Sequence, residues 1–255
     1  MITYGTRDVE LEAAGAPTVD LTAQTEPLEL TGGEVLQTFY ELPFTGFAER
    51  IPPALHPTHP PMAHMIFYKV PDSPVGPFNM ALVRVSALAG ISRWSYPIAS
   101  WVDNTDAIEY FGRRWGYSLA PATVELQRRH DRVWGTVEVG GQVILETGMY
   151  DPEPVNGTDA THAGHLNVAH VERDGTVQPT LVQAGPQLSF RKCDRGRPQM
   201  TTYDVGAIGG DKPYWPVSAY SGTCNFLFSP VSFVADPNKP VMDGGLILSG
   251  GLQAV

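Results

Sequence analysis

Along most of this chain, apolar and polar residues alternate with a period of two, the mark of strands that bury one face. The first clear alternation covers residues 34–40 (EVLQTFY), and others follow at 63–70, 97–102, 123–127, 132–139 and 142–149. Residues 79–88 (NMALVRVSAL) are almost continuously apolar, which predicts a central strand. Gly140 and Gly141 mark a two-residue hairpin between the strands on either side. Beyond a loop at 151–161, further strands are predicted at 166–172, 180–190, 199–205, 214–220 and 229–235. Helical pattern is scarce. It is confined to 45–50, stopped by Pro52 and Pro53, and to 105–111, expected to break at Gly112. So many short strands predict a mainly β (α+β) fold, a barrel or sandwich with few short helices. Residues 1–33 read as an N-terminal arm closed by Gly32 and Gly33, and 34–255 as a single domain.

Composition narrows the partners. The 255 residues are 42% apolar, with 26 glycines and 23 prolines, which suits a globular chain of strands and punctuated turns. A net charge of −10 and the lack of any basic block exclude nucleic acid as a partner. No apolar run approaches the length of a membrane helix and the acidic N-terminus is unlike a signal peptide, so a cytoplasmic protein with no membrane partner is expected. Cys193 and Cys224 give no disulfide framework and are expected as free thiols.

The densest chemistry lies at 103–126, where Tyr110, Phe111, Trp115 and Tyr117 crowd around Arg113 and Arg114. Arginines among aromatics can hold a small anion. They can equally be snorkelling side chains at a buried helix end, with Arg113 paired to an acid of the same helix such as Glu109 or Asp106. The wording of this segment (Val102-Asp103-Asn104, Ala107, Gly112-Arg113, Trp115-Gly116-Tyr117) resembles the acetoacetate decarboxylase superfamily. Residues 42–57, 73–81 and 131–144 are similar to other parts of that family's pattern, so the resemblance covers about residues 35–150.

The resemblance implies a β-barrel fold, a homo-oligomer, and a substrate that is a small organic acid or carbonyl compound. It also locates the departures. Where the family has Pro-Lys-Lys, whose lysine forms a Schiff base with the keto acid, this chain has Ser118-Leu119-Ala120. No lysine lies between Lys69 and Lys192, so Lys192 or Lys212 would have to enter the pocket to supply one. The family's glutamate after Gly-Pro-Tyr-Asn is Met80 here, the acid of Gly-Arg-Glu is Arg114, and the loop at 89–93 contains no acid.

On the resemblance, the site is expected to form from Arg113, Tyr117, Arg93 and Tyr96 as catalytic groups, with Phe78, Met80, Trp94, Trp115, Ser118 and Leu119 lining the substrate. An arginine would hold the anion and a tyrosine would move a proton, with no cofactor and no metal. The expected function is an enzyme of lyase, hydrolase or isomerase type, acting on a small keto acid or related carbonyl compound without an imine. Tailoring of a natural product would fit the same chemistry. A binding protein that keeps the cavity is the alternative.

Two histidine groups, His56, His59 and His64, then His162, His165 and His170, leave a metal-dependent hydrolase or a histidine general base open. No HExxH helix or HxH pair supports the metal. Ser118 lacks a nucleophile elbow. Cys193, in RKCDRGR, has basic neighbours that would lower a thiol pKa if it sat on a surface loop.

Overall fold

The alternating segments form one extended sheet in the computed structural model, which describes residues 3–23, 26–173 and 175–247. A short helix, α1 (Val9–Ala13), precedes four long antiparallel strands: β1 (Leu28–Glu41), β2 (Met62–Val70), β3 (Phe78–Ala89) and β4 (Ser92–Val102). After α2 (Thr105–Trp115) come β5 (Thr123–Arg128), β6 (Arg132–Val139) and β7 (Gln142–Val155). Next are β8 (Gly164–Arg173), β9 (Thr176–Ala184) and β10 (Gln187–Tyr203). The chain closes with β11 (Trp215–Phe228), β12 (Phe233–Ala235) and β13 (Gly245–Ile247).

Hydrogen bonding runs in the order β13-β12-β9-β8-β4-β3-β2-β1-β11-β10-β7-β6-β5. The two ends of this path are not paired with each other, so the expected barrel is not closed. The mainly β character stands. No helix among the described residues is long and apolar enough to cross a membrane.

Several expected boundaries move, each for a local reason. β1 begins at Leu28, so Gly32 and Gly33, expected to close an arm, lie inside a strand. A Cβ on Gly33 would sit 2.3 Å from the Phe226 ring, so glycine there admits an aromatic of the neighbouring strand. Residues 1, 2, 24 and 25 of the expected arm lie outside the described residues. The expected strand 180–190 is two strands, because Gly185 takes a φ of +93° and Pro186 has no N–H to continue the ladder. RKCDRGR, expected as a loop, is part of β10, and the expected strand 199–205 is the end of that same strand, which stops at Tyr203 before Asp204 caps a short helical turn.

The helix continues past Gly112 to Trp115. Asn104 caps its start by accepting from the Asp106 N–H, and Gly116 ends it in the left-handed region at φ +67°. Gly112 serves packing instead of a break, since a Cβ there would lie 3.2 Å from Pro17.

Because side chains alternate along a strand, β1 to β4 carry two different cores. Leu36, Met65, Phe67, Val83, Val85 and Tyr96 belong to one. Val35, Tyr68, Met80, Leu82 and Val102 belong to the other, which α2 covers with Phe111 and Trp115. The candidate site lies on this second face.

Candidate functional site

β3 reads as an apolar central strand, yet it carries one arginine, and that arginine is fully buried. Arg84 is 0% exposed. Its Nε donates to Ser95 Oγ at 3.0 Å. Its Nη2 faces Ser95 O at 2.9 Å, Leu166 O at 2.9 Å and Asn167 Oδ1 at 3.1 Å. All four acceptors are uncharged, no ion pair to Arg84 forms among the described residues, and its Nη1 has no partner. A buried guanidinium without a counter-ion is costly, and the cost falls when an anion supplies the missing charge. Burial lowers its pKa to about 10, which leaves it charged at neutral pH.

Local geometry aims this side chain. β4 carries an extra residue opposite the Val83–Arg84 step, a bulge, and Pro97 rather than an N–H donor stands across from Arg84. β8 joins β4 in parallel with His165 opposite Ser95, which sets the β8 carbonyls and Asn167 against the guanidinium. The Asn167 amide in turn donates to the Trp115 carbonyl at 3.0 Å, so the end of α2 fixes the residue that fixes Arg84.

Around Arg84 stands a layer of polar groups with free atoms. His64 is its cross-strand partner on β2 and shares a 2.7 Å hydrogen bond between Nε2 and Ser86 Oγ. His165 Nδ1 bonds the Tyr117 hydroxyl at 3.0 Å, and His162 Nδ1 bonds Gln37 Oε1 at 3.2 Å. The two imidazole rings lie 5.4 Å apart. Gln37 Nε2, the Tyr68 hydroxyl, His162 Nε2 and His165 Nε2 are buried without a hydrogen-bond partner.

Burial first, then the neighbouring His162 and Arg84, hold His64 at a pKa of about 3. Burial and Arg84 hold His162 at about 4, and burial with Arg84 and the other two imidazoles pushes His165 well below the usual histidine range. All three are therefore neutral at pH 7, able to take a proton or to hydrogen-bond. The layer as a whole carries one positive charge, that of Arg84. Tyr117 and Tyr68, both raised well above the usual tyrosine range by burial, keep their protons. Among the described residues no group of three His, Cys, Asp or Glu has metal-binding geometry, so the histidines converge without forming a metal cage.

The layer opens outward. His64 and Ser86 also line a cavity of about 560 Å³ whose other walls include Phe39, Met62, Leu88, Ile91 and Trp94, with Arg93 among them. Along β3, Leu88, Ser86 and Arg84 are successive residues of one face, which leads from the cavity to the guanidinium. A larger concavity, about 1010 Å³, lies over β7, β10 and β11, where Asp151, Glu153, Arg195 and Arg197 are all exposed; it offers no buried polar group.

The structure brings few of the sequence-predicted site residues together. Tyr117 joins the polar layer and Arg93 and Trp94 line the cavity at its mouth. Arg113 does not enter: its side chain is 62% exposed and pairs with Glu109 at 3.6 Å, because it lies on the solvent side of α2. Tyr96 lies on the opposite face of the sheet and donates its hydroxyl proton to Glu12 at 2.6 Å. Phe78, Met80, Trp115 and Leu119 are packed in the apolar core instead of lining a cavity, and Ser118 is exposed. Trp115 is tied down by a 2.8 Å bond from Nε1 to the Ser229 carbonyl.

Cys193 and Cys224 are free and buried. Burial raises Cys193 to about 11, the opposite of an activated thiol. Of the histidine groups, one from the first and two from the second converge. His56 bonds the Gly90 carbonyl, His59 stacks on Phe44, and His170 bonds the Ala13 carbonyl. Lys69, Lys192, Lys212 and Lys239, all the lysines of the chain, are exposed.

Sequence reasoning missed Arg84, Gln37 and Tyr68, and left His165 as one of six histidines open to a role. The signal was present at Arg84: a lone charge inside an otherwise apolar central strand is costly and asks for a reason.

Among curated proteins none matches the sequence. Solved structures do. An acetoacetate decarboxylase superposes with a TM-score of 0.71 at 13% identity, covering 81% of this chain and 88% of the other. The acetoacetate decarboxylase of Legionella pneumophila gives 0.66 at 16% identity, with 82% and 86% covered. The enduracididine biosynthesis enzyme MppR, complexed with pyruvate, gives 0.65 at 15% identity, with 82% and 90% covered. At such identities the likeness speaks for the fold. The sequence profile of acetoacetate decarboxylase matches residues 15–184, more than half of the chain, and by that match the chain belongs to the acetoacetate decarboxylase family.

Proposed function

We propose that this protein is an enzyme that binds a small monoanionic keto acid or related carbonyl compound on Arg84 and acts on it through an enolate, without an imine. The observation that carries the reading is the unpaired Nη1 of a fully buried arginine with only neutral partners. A carboxylate accepting from Nη1 would neutralise the one charge of the layer. A neutral imidazole, His162 or His165, whose Nε2 is free, would take the proton next to the carbonyl. Gln37 Nε2 and the Tyr68 hydroxyl would donate to the enolate oxygen. Tyr117 holds His165 in place through Nδ1 and is the second proton carrier. Arg93 at the cavity mouth would draw the anion inward. The exposed positions of all four lysines support a route without a Schiff base. MppR, whose structure holds pyruvate, makes a keto acid the first probe to use.

The test uses pyruvate in D2O, with loss of the methyl proton signal followed by NMR, beside borohydride reduction and intact-mass analysis. Deuterium exchange without a mass adduct is expected. A reduced adduct on a lysine would restore Schiff-base chemistry. Binding without exchange would favour the reading as a non-catalytic protein that keeps the cavity.

A further inference from the structure

The polar layer is suited to a small headgroup, but the space in front of it is not small. The cavity of about 560 Å³ beside it meets the layer at His64 and Ser86 and is not lined by Arg84 itself, and much of its wall is apolar: Phe39, Met62, Leu88, Ile91, Trp94 and Val217. Cavities of this size and character bury most of a larger ligand's surface. A three-carbon acid seated on Arg84 would leave that wall facing water. Ile91, at the tip of the β3–β4 hairpin, is almost fully exposed, and Leu88 and Met62 are half-buried, so the apolar wall continues to the rim. Of the Arg84 layer only His64, bonded to Ser86, reaches the cavity wall, which also carries Thr58, His59, Arg93, Thr161 and Ser218.

Resting on the reading of the site given above, we infer that the substrate is an amphiphilic acid: its carboxylate and carbonyl reach the Arg84 layer, and an apolar chain of several carbons fills the outer cavity. Chain length then sets specificity. Phe39, whose ring lies edge-on to His64 at 4.7 Å, stands where the chain leaves the headgroup. Each methylene moved from water to that wall strengthens binding by about three- to fourfold until the cavity is full.

The experiment is calorimetric titration of the whole chain with straight-chain 2-oxo acids from three to ten carbons, all below their micellar range. Affinity is expected to climb by that factor per methylene and then level off. Leu88→Trp, which fills the cavity, is expected to flatten the climb, and Met62→Trp does the same from the opposite strand should the first variant fold poorly. Arg84→Met is expected to weaken every member of the series, which separates seated acids from chains adsorbed on the surface. Pyruvate binding as tightly as the longer acids would overturn the chain-length inference and leave the Arg84 reading standing. Failure of every acid to bind would overturn the Arg84 reading itself, and this inference with it. A climb that persists unchanged in Arg84→Met would place the chains elsewhere and overturn the inference as well.

Discussion

Two regions on one face of the sheet divide the work differently. Near α2, the aromatics Phe78, Phe111, Trp115 and Phe228 pack ring on ring, with centroids 5.0 to 5.6 Å apart. Further along the same face, Arg84, His64 and His165 are just as buried, and Arg84, His162 and His165 hold buried atoms with no partner. The first region carries the wording by which the family is recognised, and the second carries the unmet polar demand. Two residues link them: Asn167, held by the Trp115 carbonyl and holding Arg84, and Tyr117, whose ring meets Phe111 edge-on and whose hydroxyl bonds His165. A motif can therefore identify a fold through residues that only position the chemistry. The polar demand marks where a ligand stabilises the protein, because satisfied aromatic packing gains nothing from one.

The comparison breaks most visibly at Trp115. Trp115→Ala removes a buried indole and its bond to Ser229, and should cost about 3–5 kcal/mol of stability, read as a lower urea midpoint. A loss under about 1 kcal/mol would mean that the aromatic end is not a packed core.

Arg84→Met should do the reverse. Replacing a desolvated charge by an apolar chain of similar reach removes the cost of the unpaired charge but leaves four acceptors without their donor, so stability should change less than in Trp115→Ala, while pyruvate affinity falls about 100-fold or more. Calorimetry and thermal unfolding on the same sample separate the two effects. A large stability loss with affinity intact would make Arg84 a structural strut and end its role as anion anchor.

The histidines give a pH signature that the aromatic end lacks. Their folded pKa values are depressed, to about 3 for His64 and about 4 for His162, against about 6.5 in an unfolded chain. Below pH 6.5 the unfolded state therefore binds protons that the folded state refuses. Their contribution is complete above about pH 6.5 and is lost as the pH falls toward 4. The slope is at most about 1.4 kcal/mol per pH unit for each histidine. Urea unfolding at pH 7, 6 and 5 should show this slope, and His64→Gln with His162→Gln should reduce it. Equal slopes in both proteins would mean that the imidazoles are hydrated and not buried neutral.

The strands of this sheet were legible because alternation is a local property. Residues 34–40, 63–70, 79–88 and 132–139 all lie in strands. What misled was punctuation: RKCDRGR looks like a polar loop, but it belongs to a seventeen-residue strand whose alternation is interrupted here by a register shift between Phe190 and Lys192. The site was far less legible. His64, Arg84 and His165 are brought together by pairing of β2 with β3 and of β4 with β8, contacts that no local pattern encodes. Arg113 drew notice because it sits in the family wording, and Arg84 drew none because it sits in a strand whose neighbours are apolar.

That contrast yields the smallest expected effect and the sharpest discrimination. Arg113→Ala removes an exposed ion pair of the i,i+4 kind, 3.6 Å from Glu109, on the solvent side of α2. Such pairs contribute about 0.3–0.5 kcal/mol, so the urea midpoint should barely move. Pyruvate affinity and deuterium exchange should match the parent protein, because among the described residues no hydrogen bond or ion pair connects this guanidinium to the layer behind the helix. Both arginines are single positive charges, so a difference between Arg113→Ala and Arg84→Met cannot come from net charge. It must come from where each charge sits relative to water. If Arg113→Ala instead abolished binding, the anion would lie at the solvent side of α2, and the buried layer would be left with unmet polar groups and no ligand to meet them.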